Sequence, residues 1–274
     1  FLMSTIVSFG QKAKPVFEVV PLGVYGGIDE RNLSAYLVAP IGTKEYVCLD
    51  AGTVHSGIEK AIEKGTFSVP SSTVLLQYIN GFVMSHALLD HVSGLIINSP
   101  ADSTKTVYAI APAMKMMQNH YFNDQTWANF GDEGFGKPLK KYHFETLSFA
   151  KTIPISNTSM TVQAFPLSHV NPYESTPFLI KKDNNAILYL GDTGPDSAEK
   201  TTNLADLWKA IAPLIQKQEL KGILIEVSFP NEQPDAFLFG HLTPKHLMKE
   251  MQVLAALTGK EALQKCKIII TNLK

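Results

Sequence analysis

Six ionisable residues, spread over more than half of the chain, share one kind of position: His86, Asp90, His91, His169, Asp192 and His241 each stand at or just after the end of an apolar run. Imidazoles and carboxylates are natural ligands of divalent ions, and two such ions about 3.5–4 Å apart can both ionise a water and absorb charge on a reacting group. The set therefore predicts a centre built from histidine and carboxylate that activates water. Its densest part is Ser85-His86-Ala87-Leu88-Leu89-Asp90-His91, where three ionisable side chains fall within six residues between apolar runs. Burying them so close together is costly unless they are paired or metallated. The other histidines, His55, His120, His143 and His246, lack this setting and read as surface residues. Cys48 and Cys266 lie in strand-like apolar runs, where a buried free thiol is expected rather than a ligand or a disulfide.

The elements that must carry these groups follow from hydrophobic periodicity. Residues 16–22, 34–40 and 45–50 read as strands, the last ending at Asp50-Ala51-Gly52-Thr53, and 56–64 has helical spacing with Ile58 and Ile62 on one face. Apolar runs at 73–79 and 81–84 lead into the His86 cluster, a short helix follows over 92–98, then a strand over 106–110 and a helix over 112–121. The second half repeats the theme, with strands at 160–167, 186–190, 222–226 and 267–270 and helices at 204–216 and 244–257. Strands alternating with helices in two similar halves predict a layered α/β sandwich rather than a single doubly wound sheet. The stretch 122–140, rich in Asn, Asp and Gly and carrying Trp127, Phe130 and Phe135, reads as a surface excursion able to cover a pocket. Gly23-Val24-Tyr25-Gly26-Gly27 reads as a turn, because no helix follows it to make a phosphate cradle.

Composition excludes some partners. With 274 residues, 45% apolar, 18% charged and a formal net charge of −1, the chain can bury a large core and shows no basic stripe for nucleic acid. No apolar run is long enough to span a bilayer. Residues 1–13 resemble the tail of a signal-peptide apolar stretch ending near Ala13, which predicts a periplasmic or secreted protein; a bland N-terminal strand predicts a cytoplasmic one. Residues 14–274 are expected to form one domain cut short at its C-terminus, and a homodimer is compatible with all of this.

The run from His86 to Pro100, HALLDHVSGLIINSP, resembles the signature of class II cyclic-nucleotide phosphodiesterases, which begins H-x-H-L-D-H and closes on an apolar trio followed by S-[AP]. Segments at Gly191-Asp192-Thr193-Gly194-Pro195-Asp196, Gly240-His241-Leu242-Thr243-Pro244, Gly26-Gly27-Ile28 and Leu49-Asp50-Ala51-Gly52 are similar to the family as well. The resemblance runs from about Phe17 to the last residue. It implies a four-layer αββα sandwich, the metallo-beta-lactamase fold, and hydrolysis of cAMP or cGMP to the 5′-monophosphate by metal-activated water. It implies that His86, His169 and Asp192 serve one ion while Asp90, His91 and a bridging Asp192 serve the other. The ions would be zinc, with manganese or iron as alternatives. Asp90, Asp192 and His241 would carry catalysis, His241 as proton donor to the leaving oxygen, and Asp50 would hydrogen-bond a ligating histidine from behind. Thr193 and Asp196 are candidates for substrate contact, with capping of the following helix as the alternative for Asp196.

Two positions depart from the family. Leu88 stands where the signature has its second histidine, and Asn272 stands where the family has the histidine of a T-H-x-K segment. An isobutyl group has no lone pair to give, and an amide oxygen replaces imidazole poorly for zinc although it can bind a hard ion. Two other readings follow: an impaired member that binds a nucleotide or a partner through the same cleft, and a single-ion hydrolase of another ester.

Overall fold

The computed structural model describes residues 15–170 and 173–274; the expected leader at 1–13 lies outside them. In chain order the strands are β1 (Phe17–Gly23), β2 (Ala35–Pro40), β3 (Tyr46–Leu49), β4 (Ile79–Val83), β5 (Lys105–Ile110), β6 (Tyr142–Leu147), β7 (Thr152–Pro154), β8 (Thr161–Ala164), β9 (Leu167–Ser168), β10 (Glu174–Ser175), β11 (Phe178–Lys182), β12 (Asn185–Tyr189), β13 (Leu220–Glu226) and β14 (Lys267–Thr271). They form two six-stranded sheets, β1-β2-β3-β4-β5-β6 and β14-β13-β12-β11-β8-β7, with β9 and β10 as a separate ribbon. The first sheet starts antiparallel and becomes parallel from β3 onward. In the second, β12, β13 and β14 are parallel and β7, β8 and β11 antiparallel.

Side-chain alternation shows how the sheets are stacked. Phe178 and Ile180 of β11, Ile187 and Tyr189 of β12, and Leu224 of β13 join the core built on the first sheet. Their neighbours Leu179, Ala186, Leu188, Leu190, Ile223 and Ile225 instead join a second core with Leu204, Leu207, Trp208, Ile211 and Ile215 of the helix Asn203–Gln216. Alternate residues therefore point to opposite covered faces, which is why β12 and β13 read as continuous apolar runs. A slip of one residue would exchange the two cores. Helices His55–Glu63 and Ala111–His120 pack on the outside of the first sheet, and Asn203–Gln216 and Pro244–Thr258 cover the second. The four-layer αββα arrangement expected from the sequence is the one observed.

Some expectations change. The apolar run at 73–79, left without an element type by its sequence, is a short helical turn, Ser71–Thr73, that continues into a wide π turn, Val74–Tyr78, before β4 begins. Strand β6 was not anticipated, although buried Tyr142 and Phe144 alternate with exposed His143 and part-exposed Glu145; the alternation is short and breaks at exposed Thr146 before buried Leu147. The excursion at 122–140 packs at the far end of the helix Leu89–Asn98. Trp127 Nε1 donates to Ser99 Oγ at 3.0 Å, and Phe130 joins the first core. Asp90 and His91 occupy the opposite end, about 12 Å away along the helix axis, so this segment does not cover them. His246 is buried rather than exposed, with Nδ1 2.9 Å from Thr243 Oγ1. Cys48 and Cys266 are buried free thiols, as expected.

Among the described residues, no helix is long and apolar enough to cross a membrane.

Candidate metal centre

The groups singled out in the sequence arrive from the ends of successive elements. Asp50 follows β3, Ser85 and His86 follow β4, and Asp90 and His91 open the helix Leu89–Asn98. His169 follows β9, Asp192 follows β12, His241 precedes the helix Pro244–Thr258, and Asn272 follows β14. Close backbone approach sets the first half. Ala51 N donates to His91 O at 2.8 Å and Leu95 N to Ala51 O at 3.1 Å, and a Cβ on Gly94 would lie 2.6 Å from Ala51 O. Only glycine lets the helix sit this low on the loop.

Each imidazole is held by Nδ1. His91 Nδ1 is 2.8 Å from Asp50 Oδ2, His169 Nδ1 3.0 Å from the Gly240 carbonyl, and His241 Nδ1 2.7 Å from Glu226 Oε1. His86 Nδ1 lies 2.9 Å from Ser85 Oγ, whose proton goes to Asp50 Oδ2 at 2.7 Å. Carboxylates and carbonyls only accept, so Nδ1 carries the hydrogen on each ring they hold, and on His86 by relay through Ser85. That leaves Nε2 as the outward atom, the arrangement in which a partner behind the ring orients a ligating histidine. At Gly240, φ is +76° and a Cβ would lie 2.4 Å from His169 Nδ1, so no larger residue could offer this carbonyl so closely.

The outward nitrogens converge on Asp192. His91 Nε2 lies 3.2 Å from Asp192 Oδ1, His169 Nε2 3.5 Å from Oδ2 and His86 Nε2 3.8 Å from Oδ2. His86 Nε2 and His91 Nε2 are buried without a hydrogen-bond partner. Buried polar atoms seldom go unpaired, and here two lone-pair donors face an ionised carboxylate. His86, His169 and Asp192 place their ligand atoms within 4.8 Å of one another, and the residues present thus fit a divalent ion.

Electrostatics agree. Burial, aided by neighbouring His91, pushes the His86 pKa well below the ordinary imidazole value and keeps the ring neutral. Burial also opposes charge on His91, but the Asp192 and Asp50 carboxylates outweigh it and hold its pKa well above normal. A positive charge is favoured at this point, whether carried by a proton or by a metal. Burial would raise the Asp192 pKa, yet His91 and the surrounding imidazoles hold it well below the carboxylate range.

The remaining candidates sit differently. Asp90 is part-exposed, its Oδ2 3.8 Å from His91 Nε2, and faces a hollow beside Ile28, Leu33 and Leu89. Asp50 lies close enough to His86 and His91 to share an ion by distance alone, but its oxygens already accept from Ser85 N, Ser85 Oγ, His91 Nδ1 and Tyr189 OH. Its contacts are those of an orienting group. Asp196 gives Oδ1 to Leu204 N and Thr201 Oγ1 and Oδ2 to Ala205 N, so it caps the helix Asn203–Gln216. Thr193 is fully buried and donates its N–H to Glu226 Oε1 at 3.0 Å. Asn272 Nδ2 donates to Asp192 Oδ1 at 2.5 Å, and Leu88 is half-buried just ahead of the helix that carries Asp90.

Sequence reasoning did not find Glu226. It is completely buried and accepts from His241, Thr193, Ser228 and Leu242. Its signal was a carboxylate closing an apolar strand, the feature that drew attention to the other site residues. Burial lowers the His241 pKa, but the Glu226 carboxylate more than compensates and leaves it raised. His241 Nε2 lies 2.7 Å from Lys274 Nζ.

The fold matches unliganded yeast PDE1 with a TM-score of 0.84 at 23% identity, over 94% of this chain and 88% of that one. It matches the metallo-beta-lactamase fold protein YhfI from Bacillus subtilis with a TM-score of 0.61 at 14% identity, over 93% and 96%. The chain thus has the metallo-beta-lactamase fold.

Sequence comparison is narrower. The family model described as cAMP phosphodiesterases class-II matches residues 16–274. The 3′,5′-cyclic-nucleotide phosphodiesterase of Aliivibrio fischeri is 41% identical over 100% of this chain and 86% of its own length. A probable 3′,5′-cyclic-nucleotide phosphodiesterase of Yersinia pestis is 40% identical over 97% and 80%. The chain belongs to the class-II cAMP phosphodiesterase family.

Proposed function

We propose that the chain hydrolyses a 3′,5′-cyclic nucleotide, cAMP or cGMP, to the 5′-monophosphate at a divalent-metal centre. The observation that carries this reading is the convergence of imidazoles, each held at Nδ1, on the single carboxylate of Asp192. Family membership supplies the substrate class. His86, His169 and Asp192 would hold an ion, with His91, Asp90 and Asn272 bordering it, and zinc suits this nitrogen-rich set best. Such an ion supplies ionised water at neutral pH and neutralises charge on the phosphoryl oxygens.

The chain's own groups do the rest. Water attacks phosphorus, the P–O3′ bond breaks, and the departing O3′ needs a proton. His241 is placed to give it from Nε2, because Glu226 takes Nδ1 and fixes the ring. Lys274 Nζ, now against Nε2, would turn to the phosphoryl group, to which its charge is attracted. A cavity of about 890 Å³ is lined by Ser168, Val170 and Gly240, the chain neighbours of His169 and His241, and by Tyr173 and Phe239. We assign it to the nucleoside, whose base can stack on aromatic faces.

Leu88 and Asn272 favour a second reading, a member that binds nucleotide without turnover. Incubating purified protein with cAMP or cGMP and zinc or manganese, and separating the products by chromatography, decides between them. Appearance of the linear monophosphate supports the enzyme; tight nucleotide binding with no product, ion bound, leaves the binder.

A further inference from the structure

We propose that this centre is mononuclear: one divalent ion on His86 Nε2, His169 Nε2 and Asp192, with the Asn272 amide filling the place of a second. The inference rests on the reading of the site as a divalent-ion centre and concerns how many ions it takes.

Three observations carry it. First, the distances. His86 Nε2 and His169 Nε2 lie 3.8 and 3.5 Å from Asp192 Oδ2, and the three residues' ligand atoms fall within 4.8 Å of one another. Ligands about 2.1 Å from one tetrahedral zinc stand about 3.4 Å apart, so little adjustment is needed. Asp90, His91 and Asp192 do not meet that closeness among the described residues, although His91 Nε2 lies near both carboxylates. Asp90 is part-exposed and turned toward the hollow beside Ile28 and Leu89.

Second, Asn272 gives Asp192 a donor. Its Nδ2 lies 2.5 Å from Asp192 Oδ1, and an amide nitrogen has no lone pair for a metal; the amide oxygen, which has one, is buried without a hydrogen-bond partner and is not the atom that meets Asp192. The carboxylate that would bridge two ions thus has one oxygen engaged by an N–H. The amide is also hemmed in, because a Cβ on Gly26 would meet its atoms at 2.7 Å.

Third, His91 is held at Nδ1 only, and its unpartnered Nε2 is packed close against Asp192. Nδ1 is 2.8 Å from Asp50 Oδ2 and Nε2 3.2 Å from Asp192 Oδ1, so the ring spans the two carboxylates. A second ion would have to enter this contact with only the part-exposed Asp90 as an added carboxylate. At the first ion, Leu88 has no lone pair to give, which leaves His86, His169 and Asp192 as its protein ligands.

Metal counting tests the proposal without reference to turnover. The purified chain is saturated with Mn²⁺, freed of excess and analysed by native mass spectrometry and by electron paramagnetic resonance. One ion per chain with the spectrum of isolated Mn²⁺ is expected. Two ions with an exchange-coupled spectrum would overturn the mononuclear reading and leave the hydrolase reading intact, whereas no bound ion would overturn both. His169→Ala should lose the ion and Asp90→Asn keep it; the reverse pattern refutes the assignment. Should His169→Ala fail to fold, the spectrum of the parent still decides. Asn272→His, which replaces a donor by a lone pair, should take up a second ion, and a count that stays at one would contradict the role given to the amide.

Discussion

Replacing Glu226 by glutamine isolates the function of the one buried carboxylate that touches His241. The carboxylate accepts His241 Nδ1–H at 2.7 Å and Thr193 N–H at 3.0 Å on Oε1, and Ser228 N–H at 3.0 Å and Leu242 N–H at 3.3 Å on Oε2. Glutamine keeps the shape but must turn an NH₂ toward one of these pairs, so about two bonds become donor–donor contacts. Hydrogen bonds to a charged group contribute roughly 1.5–3 kcal/mol each, which puts the loss at about 3–6 kcal/mol. At roughly 2 °C per kcal/mol for a chain of this size, the melting temperature should fall by about 6–12 °C. The kinetic effect is separate. With its ring released, His241 loses its orientation as proton donor, and kcat for the cyclic nucleotide should fall on the order of 10²-fold while KM changes little. Calorimetry reads the first effect and steady-state kinetics, well below the variant's melting temperature, the second. The double variant Glu226→Gln/His241→Ala should have the same kcat as His241→Ala, because the two act as one unit. Multiplying effects, or an unchanged kcat in Glu226→Gln, would refute the coupling.

Other outcomes follow from the same contacts. Asp50→Asn removes the acceptor that orients His91 and receives Ser85 and Tyr189, and titration should show metal affinity about 10–100-fold weaker. The pair Leu88→His/Asn272→His restores two imidazoles where the family has them, and should raise both ion uptake and rate; a variant indistinguishable from the parent would mean these positions are misassigned. Trp208, fully buried with Nε1 2.8 Å from Glu250 Oε2, should cost about 3–5 kcal/mol on Trp208→Ala, read by denaturant melts. The Asp132 carboxylate beside exposed His143 raises its pKa above the ordinary imidazole value. Its stabilisation is therefore full below about pH 6.5 and lost as pH rises through the folded-state pKa, by a few tenths of a kcal/mol. Asp132→Asn should remove that slope.

How much of this could be read from the chain depends on what each residue's neighbours in sequence reveal. The layered α/β architecture was legible because β12 and β13 are largely buried on both faces, and continuous apolar runs such as Gly222–Ile225 record that directly; β11, whose short apolar run ends on Lys181 and Lys182, was not read as a strand. Strand β6 was missed because its alternation of Tyr142 and Phe144 with His143 and Glu145 is short and breaks at Thr146, and the wide turn Val74–Tyr78 was hidden because its apolar composition equally suits a strand. The polar clusters at strand ends were legible as well, since a fold that packs two sheets gathers strand ends along one edge. Glu226 shared that address, but a single carboxylate carries no spacing signal, and its partner His241 is brought to it only by the tertiary fold. The excursion at 122–140 failed as a cover for the site for the complementary reason. Composition marks a surface segment and does not say which end of a helix it meets.

Cyclic nucleotide followed in ¹⁸O-labelled water by phosphorus nuclear magnetic resonance, with protein that carries metal and with the same protein after chelation, shows whether a metal-activated water opens the ring. Metal-loaded protein should yield the 5′-monophosphate bearing one ¹⁸O on phosphorus, and protein stripped of the ion should leave the cyclic nucleotide unchanged. Persistence of the cyclic substrate with metal-loaded protein, or equal turnover after chelation, would contradict hydrolysis by metal-activated water.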